Sequence, residues 1–144
     1  MFRRRIRSEP AQSADAPSEG TSVATIDDES FLASTEGGFT VVDFWAPWCG
    51  PCRAFAPVFE EVARRYAEQV HFARCNVDES PATATLLQIR SIPTVIAFGP
   101  DGSELGRMVG VPSRAELERA VAGLAEHACR PSRPGPRGWR AAQS

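Results

Sequence analysis

The amino-acid sequence predicts a single α/β domain in which about four helices flank a central mixed β-sheet of about five strands. The chain has 144 residues, 42% of them hydrophobic, which suits one domain with one core. Short apolar runs rich in β-branched residues alternate with amphipathic segments. The order begins as strand–helix–strand and ends in a hairpin, so parallel and antiparallel pairs should share one sheet with helices on both faces.

The first half of the pattern predicts two strands, each followed by a helix. A short β-branched strand is predicted over Thr21–Ile26, and Asp27–Ser34 begins with residues that favour a helix start. After two glycines, the run Phe39–Trp45 is apolar enough for a strand buried on both faces. Pro51–Ala67 follows as a helix, because its apolar side chains form one stripe and its charges lie elsewhere.

The second half predicts three more strands and two more helices. Val70–Val77 and Thr94–Phe98 are apolar strands, and Ser80–Leu87 between them is a short helix. A Pro-Asp-Gly turn leads into a last strand near Glu104–Val109, which completes the hairpin. Ser113 caps the final helix, with a glutamate three residues later in the reciprocal capping position.

The two ends of the chain differ from its middle in composition. Residues 1–20 are rich in Ser, Ala, Pro and charge, and residues 128–144 combine Pro, Gly and Arg without periodicity, so both are predicted to be disordered. The globular domain is expected over 21–127. The start MFRRRIRS lacks the apolar stretch of a signal peptide, and acidic residues soon interrupt a mitochondrial-type presequence, so we expect a cytoplasmic protein.

Charge and composition disfavour several classes of function. Residues 21–127 carry eight arginines against fifteen Asp and Glu, a net charge of −7, which argues against nucleic-acid binding by the domain. No apolar run approaches membrane-spanning length. All sixteen basic residues are arginine, which excludes lysine chemistry. We therefore expect a protein that binds neither nucleic acid nor membrane, and we expect it to be a monomer.

The run DFWAPWCGPC, residues 43–52, concentrates reactive side chains. It places Cys49 and Cys52 where a strand ends and a helix begins, so both sulfurs lie on one helical face within bridging distance. The unsatisfied N–H groups and the dipole at the helix start favour the thiolate of the first cysteine. Pro51 rigidifies the turn, and Gly50 leaves room for a partner chain. The pair is predicted to be a dithiol that donates electrons.

The cysteine pair has two other interpretations, a structural zinc site and a structural disulfide. A structural zinc site would need a second pair of ligands at short spacing, whereas the remaining cysteines and histidines are isolated in the sequence. A purely structural disulfide would close so short a loop that it removes little chain entropy. We therefore expect no metal, a Cys75 that packs in the core, and a Cys129 thiol exposed in the tail.

The flanks of the cysteine pair resemble those of thioredoxin. WCGPC is preceded by VVDFWAP and followed by a helix containing Pro57 and later by Ser-Ile-Pro-Thr, and the similarity covers about residues 21–126. The resemblance implies the thioredoxin fold, with Cys49 as the exposed nucleophile that attacks a substrate disulfide. It also implies that Cys52 lies deeper and resolves the mixed disulfide. The resulting Cys49–Cys52 disulfide would be reduced by a thioredoxin reductase, with no cofactor bound to the chain itself.

Two charged residues are expected to support the cysteines. Asp43 lies within an apolar strand, so burial should raise its pKa. The resemblance implies that Asp43 is a base that helps to deprotonate Cys52. Thioredoxins commonly carry lysine where this chain has Arg74. Because a guanidinium keeps its proton, Arg74 would stabilise charge without sharing a proton; a surface arginine without a role is the alternative.

The resemblance also implies a surface that binds substrates. Ile92-Pro93 should be a cis bond facing the nucleophile, which leaves the backbone of Ile92 free to pair with an extended peptide. The residues expected on this surface and its support are Trp48, Gly50, Pro51, Ile92, Pro93 and Gly110.

Together these features predict a general protein-disulfide reductase that acts on disulfide-containing proteins. One alternative is an oxidant or isomerase of exported proteins, which the absent signal sequence and the Gly-Pro dipeptide disfavour. The other is a non-catalytic subunit that binds partners through the same surface, since one fold can carry several functions. The presence of both cysteines together with Asp43 favours catalysis.

Overall fold

One mixed β-sheet forms the centre of the molecule. A computed structural model describes residues 22–129 and 139–141. Its elements are β1 (Val23–Ile26), α1 (Phe31–Ser34), β2 (Thr40–Trp45), α2 (Gly50–Tyr66), β3 (His71–Asn76), α3 (Pro81–Leu86), β4 (Thr94–Phe98), β5 (Glu104–Val109), α4 (Arg114–Cys129) and β6 (Arg140–Ala141). The strand order is β1-β3-β2-β4-β5-β6. β3 is parallel to β1 and to β2, and the other neighbours are antiparallel.

Helices cover both faces of the sheet, as the sequence predicts. On one face, α2 and α4 pack against the strands through a cluster that includes Val41, Phe59 and Leu117. On the other face, α1 and the residues after α3 cover a second cluster, which contains Phe31 and Phe44. β2 lies between β3 and β4 and is covered on both sides, so all of its residues except Trp45 are buried. Its carboxyl end leads directly to the cysteine pair.

The predicted elements are present, and their ends shift by a few residues. β4 and β5 have the predicted bounds. α1 is shorter than predicted because the Asp27 carboxylate accepts hydrogen bonds from the N–H groups of Glu29 and Ser30, which forms a turn before the helix. α4 begins with the predicted capping box: Glu116 N–H donates to Ser113 Oγ at 3.1 Å, and Ser113 N–H donates to Glu116 Oε1 at 2.9 Å.

The C-terminal segment was predicted to be disordered, but those of its residues that the structure describes are ordered. α4 continues to Cys129, and the two-residue strand β6 pairs with β5 at Gly106 and Arg107. Trp139 packs against the cluster beneath α2 and α4, and its Nε1–H donates to the carbonyl oxygen of Ala120 at 3.1 Å. An indole offers both apolar area and a hydrogen-bond donor, so one tryptophan can hold a segment of otherwise polar composition against the core. Residues 1–21, 130–138 and 142–144 lie outside the described part of the chain.

Replacing Trp139 by alanine should lower the free energy of unfolding by about 1–2 kcal/mol, because the partly buried indole loses its apolar contacts and its hydrogen bond. Urea unfolding followed by circular dichroism measures this difference. Leu32→Ala is the control, since Leu32 is 64% exposed and its truncation should change stability far less. Equal stability of Trp139→Ala and wild type would show that Trp139 does not anchor the C-terminal segment.

Candidate active site

The two cysteines lie at the start of α2, just after the loop that connects it to β2. Cys49 is the N-cap residue of α2, with extended backbone angles (φ −90°, ψ 108°), and Pro51 stands in the first turn. Cys49 and Cys52 form a disulfide with their Cα atoms 5.3 Å apart. The backbone N–H of Cys52 donates to Cys49 Sγ at 3.1 Å. When the disulfide is reduced, the same N–H can stabilise a thiolate on Cys49.

The two sulfurs differ in depth, though less than expected. Cys52 is fully buried, whereas Cys49 is 5% exposed. The resemblance to thioredoxin implies an exposed Cys49. In this oxidised form the exposed surface of Cys49 is small because Ile92 lies beside it, with Cys49 Sγ 3.9 Å from the carbonyl oxygen of Ile92. Gly50 opens the approach, since a Cβ atom at this position would meet nothing within 4 Å.

Asp43 is buried in the centre of β2, on the face that α2 covers. Its side chain has no solvent exposure, and Oδ1 has no hydrogen-bond partner among the described residues. Burial raises the pKa of Asp43 from its ordinary 3.8 to about 6, although the charge and hydrogen bond of Arg74 act in the opposite direction. The predicted burial and raised pKa are both present in the structure.

Arg74 pairs with Asp43 across the parallel strands β2 and β3. The two residues are register partners, and Arg74 Nε donates to Asp43 Oδ2 at 3.2 Å. The guanidinium carbon lies 4.1 Å from the centroid of the Trp45 ring, and the arginine side chain is 17% exposed. Arg74 is therefore not the free surface arginine of the alternative interpretation.

The raised pKa of Asp43 predicts an unusual dependence of stability on pH. The folded protein holds a proton on Asp43 up to about pH 6, whereas the unfolded chain loses it near 3.8, so this residue lowers stability as the pH rises through that window. Relative to wild type, oxidised Asp43→Asn should gain up to about 3 kcal/mol of unfolding free energy between about pH 4 and pH 7.5. Urea unfolding at a series of pH values measures the difference; a pH-independent difference would contradict the raised pKa.

A cis proline faces the disulfide, as the resemblance implies. The Ile92–Pro93 peptide bond is cis, and Gly110 N–H donates to the carbonyl oxygen of Pro93 at 2.8 Å. Gly110 has φ of +91°, a conformation that favours glycine, and a Cβ atom there would meet nothing within 4 Å. Ile92 thus lies beside Cys49, and Gly110 is held to the adjoining Pro93 with open space in front of it.

Trp48 lies at the mouth of a groove beside the cysteine pair. Its side chain is 69% exposed, and its Nε1–H donates to Asp78 Oδ2 at 2.8 Å. The groove has a volume of about 510 Å³. It is lined by Trp48, Val77, Pro81, Ala84, Thr85, Ile89, Arg90, Ser91 and Ile92. Sequence reasoning missed Asp78, which could have been found because β2 and β3 are parallel and their carboxyl ends meet at one edge.

The remaining cysteines and histidines do not join this site. Cys75 is a free, buried thiol on β3, and burial raises its pKa. Cys129 ends α4 and belongs to the helix, where a tail residue was expected. Within residues 22–129 and 139–141, no three His, Cys, Asp or Glu residues are grouped so that they could hold a metal ion. No helix in this part of the chain is long and apolar enough to cross a membrane.

A Cys-X-X-Cys disulfide at a helix start, with its first sulfur 3.9 Å from the carbonyl oxygen of the residue before a cis proline, defines a thiol-disulfide oxidoreductase. The family model for thioredoxin matches residues 22–123 of the chain. The chain therefore belongs to the thioredoxin family, as its sequence motifs indicate.

Individual thioredoxins are similar to the same part of the chain. It is 48% identical over 81 residues to thioredoxin 1 of Synechococcus elongatus, an alignment that covers 56% of this chain and 75% of that protein. It is 40% identical over 99 residues to Staphylococcus aureus thioredoxin, an alignment that covers 69% of this chain and 94% of that protein. It is 44% identical over 101 residues to the chloroplastic M-type thioredoxin of Pisum sativum, covering 69% of this chain and 58% of the pea protein.

A solved structure agrees with this assignment. The crystal structure of Malassezia sympodialis thioredoxin matches with a TM-score of 0.68 at 33% sequence identity, covering 73% of this chain and 92% of that protein. The central mixed sheet with four helices predicted from the sequence is thus confirmed as the thioredoxin fold.

Proposed function

We propose that this protein is a general protein-disulfide reductase whose working group is the Cys49–Cys52 dithiol. The observation that carries the proposal is the disulfide at the start of α2, beside the open surface formed by Trp48, the cis proline and Gly110. An extended peptide can pair with the backbone at Ile92 and bring its own disulfide against Cys49.

The reaction transfers two electrons in two exchanges. The Cys49 thiolate attacks one sulfur of the substrate disulfide, forms a mixed disulfide and releases the other sulfur as a thiolate, which takes up a proton. Asp43 then accepts the proton of Cys52, and the Cys52 thiolate attacks Cys49 Sγ. The internal disulfide forms, the second substrate thiolate leaves, and Asp43 gives up its proton. Trp48, Gly50 and Pro51 shape the surface on which these exchanges occur.

The proposed setting is a reducing compartment with a regenerating enzyme. A thioredoxin reductase would return the oxidised pair to the dithiol, and the chain would need no bound cofactor of its own. We assign the protein to the cytoplasm as a monomer with a catalytic domain at 21–127; the chloroplastic pea relative makes a plastid the competing location.

Redox equilibration with glutathione buffers tests the proposed direction of electron flow. The fraction of oxidised pair, measured by alkylation and mass spectrometry, should give a reduction potential near the value of about −270 mV known for thioredoxin. The alternative oxidant or isomerase of exported proteins would have a potential of about −180 mV or higher. A non-catalytic subunit would fail to reduce insulin in the presence of dithiothreitol, whatever its potential.

A further inference from the structure

Helix α3 forms one wall of the groove beside the cysteine pair. Pro81, Ala84 and Thr85 line the groove from α3, and residues 89–92 continue this wall after the helix ends. The helix has only six residues, so its own hydrogen bonds hold it weakly. Contacts with other parts of the chain therefore decide how firmly the wall is placed.

The start of α3 is held by a carboxylate from the turn after β1. Asp28 Oδ1 accepts hydrogen bonds from the N–H and the hydroxyl of Thr83 at 2.8 and 2.7 Å, and Oδ2 accepts one from the N–H of Ala82 at 3.2 Å. These N–H groups belong to the first turn, where a helix has no internal partner for them. Ser80, at the N-cap, makes no side-chain hydrogen bond to the helix. Asp28 therefore caps α3 from a distant position in the sequence.

The end of α3 is held by an arginine from β5. The helix closes in a turn in which Ile89 N–H donates to the carbonyl oxygen of Ala84 at 2.9 Å and Gln88 takes a φ of +55°. This φ is uncommon for a residue with a side chain, so the turn needs support from its surroundings. Arg107 provides it, because its Nη2 donates to the carbonyl oxygen of Leu87, next to Gln88, at 3.0 Å.

Arg107 itself is fixed on the sheet by an ion pair. It is the register partner of Ile96, which belongs to the second cluster of the core. Its Nε and Nη2 donate to the two oxygens of the Glu104 carboxylate at 2.6 and 2.8 Å, and the two side chains are only 15% and 14% exposed. A planar guanidinium can bind a carboxylate and a carbonyl oxygen together. The Leu87 carbonyl is thus attached to β5 through a bidentate, partly buried pair.

We propose that Asp28 and Arg107 are positioning residues, which hold α3 at its two ends and so set the width of the groove for the polypeptide around a substrate disulfide. This inference rests on the proposed function, in which such a polypeptide lies against Ile92. Neither residue lines the groove, so each acts on the substrate through α3. Their loss should weaken the binding of polypeptide substrates and leave the exchange at Cys49 nearly unchanged.

Two substrates separate binding in the groove from thiol exchange in the full-length chain. Insulin has polypeptide around its disulfides, whereas bis(hydroxyethyl) disulfide has none to fill the groove. In Arg107→Gln and in Asp28→Ala, the KM for insulin with dithiothreitol should rise about threefold to tenfold, while kcat changes less than about twofold. The rate constant of the reduced protein with the small disulfide, measured by alkylation and mass spectrometry, should stay within about twofold of wild type.

Asp28→Asn and Arg65→Gln are the matched controls. Asparagine keeps one oxygen acceptor for Thr83, so Asp28→Asn should recover most of the wild-type KM. Arg65 also pairs with a glutamate, Glu118, but it joins α2 to α4 on the opposite face of the sheet. Arg65→Gln should therefore leave the KM for insulin where the wild type has it.

The inference and the proposed function fail in different ways. A wild-type KM for insulin in Arg107→Gln or in Asp28→Ala would overturn the inference, and so would an equal rise in Arg65→Gln. Equal losses of rate with both substrates would overturn it as well, since they would indicate general destabilisation of the fold. If the wild-type protein reduces neither substrate, the proposed function fails first.

Discussion

With Cys49→Ser present, dithiothreitol should reduce insulin no faster than it does without any protein. The turnover that depends on the protein should fall at least about a thousandfold. A hydroxyl at this position is a far weaker nucleophile than a thiolate, and no mixed disulfide can form on it. Cys52 cannot take over, because it is fully buried while Cys49 keeps a small exposed surface. Turbidity from the precipitating insulin B chain measures the rate.

Cys75→Ala provides the matched control for this loss. It also removes a buried thiol, but Cys75 lies on β3 in the cluster beneath α1, away from the disulfide. We expect a lower urea midpoint from the small cavity and a turnover close to wild type. Undiminished insulin reduction by Cys49→Ser would refute the assignment of Cys49 as nucleophile.

The sequence predicts the site well wherever local order determines geometry. A helix that begins at Gly50 fixes the spacing of the two sulfurs, so the disulfide needs no distant contact. Asp43 follows the same logic, because apolar neighbours on both sides require its burial. The cis bond before Pro93 was different: it came from resemblance to a family, since the dipeptide alone favours the trans form.

The features missed by sequence reasoning depend on contacts between distant segments. Asp78 meets Trp48 across thirty positions, and Arg74 meets Trp45 through strand pairing whose register the sequence does not reveal. Trp139 lies in a segment whose composition indicates disorder, yet one indole suffices to attach it to the core. In each case a single large or charged side chain makes a tertiary contact that the composition of the surrounding sequence does not predict.

Cys52→Ser should stop the reaction halfway and retain its substrates. The thiolate of Cys49 is stabilised by the backbone N–H of residue 52 at 3.1 Å and by the start of α2, and neither depends on the Cys52 side chain. The first attack should therefore proceed at a rate close to wild type. The mixed disulfide has no internal thiol to resolve it, so it should accumulate at least about tenfold over wild type. Non-reducing electrophoresis and mass spectrometry detect the adducts, which dithiothreitol should release.

The double variant Cys49→Ala/Cys52→Ser identifies the attacking sulfur. It keeps Cys75 and Cys129, so any adduct that it forms must arise from a thiol outside the active site. If it traps substrates as efficiently as Cys52→Ser, the adducts do not report on Cys49 and the assignment of Cys52 as resolving residue is lost. If it traps none, the two cysteines act in sequence. Cys49, at the start of α2, forms the mixed disulfide with the substrate, and the fully buried Cys52 resolves it.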